Sequence, residues 1–99
     1  MDLNEMMAQA KELQSRVRAA QDSLDDVRVK GLAGNGAVII EMTGKYNITQ
    51  IAISNDAMNM DAATLAETVK NAFQDAKNKA DDIIDQKMTD ATGGLDLPF

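Results

Sequence analysis

Residues 27–53 read VRVKGLAGNGAVIIEMTGKYNITQIAI, and their apolar positions recur at every second residue. Val27 and Val29 alternate with charged residues; Val38, Ile40 and Met42 alternate with Ala37, Ile39 and Glu41; Ile51 and Ile53 alternate with Gln50 and Ala52. Successive side chains of an extended chain point to opposite faces, so this period of two predicts three short strands. Gly31 and the Gly34-Asn35-Gly36 run punctuate the first connection, where the Asn-Gly step favours a turn with positive φ. Thr43-Gly44-Lys45-Tyr46-Asn47 punctuates the second. Two short connections make an antiparallel meander, and three strands need cover from other elements to be stable.

The cover lies on either side in the chain. Upstream, Leu3, Met6, Ala10, Leu13, Val17, Ala20, Leu24 and Val27 are spaced alternately by three and four, an unbroken heptad seam with Leu3, Ala10, Val17 and Leu24 at a and the others at d. So narrow a stripe calls for helix-on-helix packing, within one subunit or between two. Glu12 with Arg16 and Arg18 with Asp22 are expected i,i+4 pairs. Downstream, Ser54-Asn55-Asp56 closes the third strand and Asp61 is the expected N-cap of a second helix. That helix carries Leu65, Val69, Ala72, Phe73, Ala76, Ala80, Ile83, Ile84 and Met88 on one face and stops at Gly93-Gly94. At about 30 residues it is roughly 45 Å long, more than three strands can cover. The expectation is an α+β domain over residues 1–99 in the order α-β-β-β-α: helix 1–28, sheet 27–54, helix 61–92 and an apolar tail 93–99.

Composition narrows the chemistry. With 99 residues and three aromatic side chains, Tyr46, Phe73 and Phe99, the core must come from aliphatic residues and methionine, and a chain this short gains from a partner. Met6, Met7, Met58, Met60 and Met88 are expected to fill gaps in that core. Cysteine and histidine are both absent, which removes thiolate and imidazole ligands, cysteine nucleophiles and the usual near-neutral acid–base group. No cofactor and no enzymatic activity are expected. Asp81 and Asp85 lie i,i+4 but offer a hard cation too few ligands. The Gly31 to Gly36 run lacks the Lys-Ser/Thr and following helix of a phosphate loop, so it reads as a hairpin. The start of the chain does not resemble a secretory signal and no stretch is apolar enough to span a membrane, so the location expected is cytoplasmic. A net charge of −6 opposes non-specific attraction to a polyanion.

Particular residues carry a resemblance across nearly the whole chain. Met6-Met7-Ala8-Gln9-Ala10-Lys11-Glu12-Leu13-Gln14, Gly31 with Gly34-Asn35-Gly36-Ala37-Val38, Gly44, VKNAFQDA at 69–76, and Lys87-Met88 followed by Thr92-Gly93-Gly94-Leu95 and Leu97-Pro98 resemble the YbaB/EbfC family in order and spacing. The resemblance implies a tweezer-like homodimer whose strands meet at the subunit interface while long helices project. It also implies a nucleoid-associated protein that binds double-stranded DNA with low sequence specificity and affects DNA conformation and gene expression.

Phosphate contact requires Lys or Arg on accessible faces. The resemblance places contact on the helices, which selects Lys11, Arg16, Arg18, Lys77, Lys79 and Lys87. Each could equally solvate a helix face or pair with Glu12, Asp22, Asp75 or Asp81. Thr49 and Gln50 stand where many members carry a basic pair, Asn78 and Lys79 where Arg-Arg is common, and Asp81, Asp82 and Asp85 follow directly. Weak or localised DNA binding is therefore expected. The alternative is a dimeric adaptor that has lost DNA contact and binds another protein.

Overall fold

Asp2 accepts a hydrogen bond from the Glu5 backbone N–H at 2.8 Å and starts α1, Leu3–Ser23. A computed structural model describes residues 2–93; of the expected tail 93–99, residues 94–99 lie outside them. α1 ends short of the heptad seam, because residues 24–26 form a single 3-10 turn and Val27 is already extended. Asp25 and Asp26 would oppose the dipole of a continuing helix. The Leu24 carbonyl instead accepts from the N–H groups of Val27 and Gly44, at 3.2 and 3.0 Å, and ties the helix end to a later turn. The heptad reading thus overran the helix by one turn.

The sheet has the order β1 (Arg28–Ala33), β2 (Val38–Thr43), β3 (Ile48–Ile53), all antiparallel. Gly34, Asn35 and Gly36 take φ of 63°, 57° and 86° in the first turn, as the Asn-Gly step requires. Tyr46 takes φ 66° in the second. A register shift falls between Glu41 and Met42, so Met42 pairs with Ile48. After a 3-10 turn at Asp56–Asn59, Asp61 accepts from the Thr64 N–H at 2.7 Å and starts α2, Ala62–Ala91. Gly93, with φ 67°, follows its end.

α2 lies over β1 and β2. Val29, Val38, Ile40 and Met42 are buried against Ala72, Ala76 and Ala80, which follow one another at i,i+4 along the helix. The approach is close: a Cβ on Gly31 would stand 2.1 Å from the Ala72 carbonyl oxygen and 2.3 Å from the Ala76 nitrogen. Small residues on both elements thus let backbone meet backbone. Thr68, on the same face, returns its hydroxyl to the Thr64 carbonyl at 2.8 Å and is buried with them. Among the expected core methionines, Met60 packs against the core, whereas Met6, Met7 and Met58 are exposed in the single chain. Met42 takes the buried role instead.

Two apolar surfaces stay uncovered. Ile51 and Ile53 are register partners of Ile40 and Val38 and share their inner face, yet α2 does not cover them. Ile48, Ile51 and Ile53 remain 46%, 48% and 45% exposed. No residue of α1 is buried; its C-terminal half lies beside the end of α2 while Leu3, at the other end, is 70% exposed. The chain is correspondingly elongated, 68 × 21 × 16 Å.

Candidate nucleic-acid interface

The six basic residues selected from the sequence fall into three settings. Lys11 and Arg18 are seven residues apart on α1, both off the heptad seam and both exposed. Neither has a hydrogen bond or ion pair among the described residues. The expected Arg18–Asp22 pair is not formed, whereas Arg16 reaches Glu12 at 2.7 Å. Arg16 also faces Lys87 across a groove between the two helices, lined further by Ala20, Ser23 and Asp90. Lys87 donates to the Ser23 hydroxyl at 3.1 Å, the contact that fastens α1 to α2.

Lys77 and Lys79 belong to a third region, where α2 crosses the sheet. Lys77 sits 3.5 Å from Asp81 and 5.7 Å from the centre of the Tyr46 ring. The Tyr46 hydroxyl donates to Asp81 and clips the β2–β3 turn to the helix. That hydrogen bond, then the Lys77 charge, hold the Asp81 carboxyl below its ordinary pKa. The same bond, with burial and the charges of Asp81 and Asp85, raises the Tyr46 phenol. Lys79 pairs with Asp75 at 3.0 Å and donates to the Lys30 carbonyl at 2.8 Å. The Leu32 N–H donating to Asp75, followed by Lys79, holds the Asp75 carboxyl below its ordinary pKa.

Four of the six candidates are thus committed to partners inside the chain, whereas Lys11 and Arg18 have none among the described residues. Lys30 is a further basic residue outside the six selected from the sequence. It stands exposed on the sheet face away from α2, opposite Glu41, and its ammonium makes no bond among the described residues. The alternation with Val29 indicates its face, and the register of β1 against β2 adds its pairing with Glu41. Among the described residues no group of three or more acidic, cysteine or histidine side chains could hold a metal, and no helix is long and apolar enough to cross a membrane.

Together these features define an α+β binding module with long helices and an uncovered strand. Residues 1–95 match the profile of the YbaB/EbfC DNA-binding family, and the chain belongs to that family. A nucleoid-associated protein of Nitrobacter hamburgensis is 43% identical over 94 residues, which span 94% of this chain and 89% of the relative. One from Rhodopseudomonas palustris is 39% identical over 94% of this chain and 90% of its own length, and one from Bordetella avium is 38% identical over 94% and 86%. The fold also matches the crystal structure of an uncharacterized Helicobacter pylori protein with a TM-score of 0.74. That match has 13% sequence identity and covers 87% of this chain and 91% of the other.

Proposed function

We propose that this chain is a single-domain, nucleoid-associated protein that binds double-stranded DNA as a homodimer, with low sequence specificity and effects on DNA conformation and gene expression. The observation that carries the reading is the pair Lys11 and Arg18, exposed on one face of α1 and without a partner among the described residues, in a chain of a DNA-binding family. The family contributes the class of ligand, and two exposed cations without a partner among the described residues support phosphate contact on α1. No catalytic step is part of this reading.

The homodimer is supported by β3, whose three isoleucines continue the core face beyond α2. Covering those half-exposed side chains on both copies would contribute roughly 5–9 kcal/mol before the costs of association. A second copy pairing at the free edge of β3 would also place two α1 helices, and two Lys11–Arg18 pairs, in one particle.

Duplex affinity measured against salt tests the proposal, because each neutralised phosphate contributes about −0.9 to the slope of log K against log salt. A dimer using Lys11 and Arg18 alone gives a slope of roughly −4, and one using all six candidates on each chain roughly −11. Duplexes of unrelated sequence are expected to bind within about one order of magnitude of each other. No binding at low salt would end the DNA reading. The adaptor alternative draws on a specific observation, the internal pairing of Arg16, Lys77 and Lys79 in a chain of net charge −6. It expects partner capture to survive K11E/R18E without any DNA retention.

A further inference from the structure

The two edges of the sheet are finished differently. In an antiparallel pair, alternate residues direct both backbone groups toward the neighbouring strand and the rest direct them away. The Lys30 carbonyl and the Leu32 N–H turn away from β2, since both are taken by side chains of α2. Lys79 donates to that carbonyl at 2.8 Å, Asp75 Oδ2 accepts from that N–H at 2.9 Å, and the same oxygen receives Lys79 at 3.0 Å. One turn of helix therefore presents a donor and an acceptor to two outward backbone groups of β1.

β3 has no such closure. The register passes through Lys30, Glu41 and Gln50, so Gln50 and Ala52 face β2 while Ile51 and Ile53 turn their backbone groups outward. Among the described residues no side chain bonds to those groups. The open edge is also the one whose inner-face isoleucines are uncovered.

We infer that Asp75 and Lys79 act as a strand surrogate that closes the β1 edge, so that a second copy of this chain can pair only at β3 and assembly stops at two chains. The inference rests on the β3 homodimer proposed above and assigns Lys79 to assembly rather than to DNA. Two open edges would allow each copy to add another at both sides, giving open-ended growth; one open edge terminates it.

Sedimentation velocity across a concentration series, with circular dichroism to follow helix content, tests this on four full-length chains: wild type, D75A/K79A, I51P, and I51P/D75A/K79A. Alanine suits the helix interior, and proline at Ile51 removes one outward N–H of β3. Wild type is expected to stop at two chains and D75A/K79A to form helical species that grow with concentration. I51P is expected to be monomeric, and I51P/D75A/K79A to return to two chains through β1. Aggregation from misfolding would not stop at two, so growth in the last variant counts against the inference. A D75A/K79A protein that sediments as wild type overturns it. An I51P protein that remains dimeric overturns the β3 interface instead, leaving the closure of β1 to be judged on D75A/K79A.

Discussion

α1 and α2 are both long amphipathic helices capped by an aspartate, yet they meet opposite fates. α2 buries Thr68, Ala72, Ala76 and Ala80 against the sheet and commits Lys77 and Lys79 to neighbouring carboxylates. α1 has no buried residue, leaves the N-terminal part of its heptad seam, Leu3, Met6 and Ala10, exposed, and leaves Lys11 and Arg18 without a partner among the described residues. The residues that contact is made from differ as well: alanine where backbones meet, leucine and methionine where a side chain awaits cover. An apolar stripe thus states that a face needs a partner without saying which one, and the helix already packed at home has fewer charges to offer abroad.

The sharpest way to break this contrast is at Gly31. A valine there has no room against the Ala72 carbonyl and the Ala76 nitrogen, so G31V is expected to destabilise the fold by more than about 3 kcal/mol in urea denaturation. Leu3→Ala on α1 is expected to leave the stability of the single chain almost unchanged, and a comparable loss there would erase the distinction. Next in size is DNA affinity. K11A/R18A is expected to flatten the salt slope by about 1.8 per chain, since two phosphate contacts are removed. K77A should change it by less, because Lys77 must first leave Asp81 and Tyr46. The reverse ranking would move the interface to α2.

A smaller effect is expected with pH, and it falls on the α2 side. Asp75 and Asp81 have pKa values lowered by folding, so the unfolded chain takes up protons first as pH falls. Their stabilisation is present above the unfolded value of about 3.8 and is lost as pH drops through the lower folded values. Tyr46 is raised, so its contribution is complete below pH 10 and is lost only as pH rises through its folded value. Urea midpoints taken against pH should show both limits, and Y46F should remove the alkaline one and reduce the Asp81 share of the acid one, leaving the part that Lys77 supplies. Smallest of all, Arg16→Ala deletes a pair exposed on both sides and is expected to change helix stability by about 0.3–0.5 kcal/mol in thermal melts.

Much of the fold was legible before the structure. The period of two between Val27 and Ile53, the Gly34-Asn35-Gly36 turn and the Asp61 cap all reappear as β1 to β3, three positive φ values and a hydrogen bond from Thr64. These are local preferences, set by sterics within a few residues. The end of α1 was less legible, because the seam runs on to Val27 while the chain leaves the helix at Leu24 to meet Gly44. The exposure of Met6, Met7 and Met58 escaped the sequence because hydrophobicity marks what seeks burial, not what a single chain manages to bury. The six basic positions were legible as residue types, but not the sorting among them.

Sequence alone therefore determined the order of helices and strands, the Asp61 cap, the Gly34-Asn35-Gly36 turn, and the family to which residues 1–95 belong. Only the tertiary structure decided that α2 covers β1 and β2 but not β3, that Lys79 and Asp75 face the β1 edge, and that Lys11 and Arg18 have no partner among the described residues. The reason is physical. Propensity and periodicity act over one or two turns of chain, whereas the Lys79 to Lys30 contact joins residues 49 positions apart and exists only once a helix has been laid across a sheet.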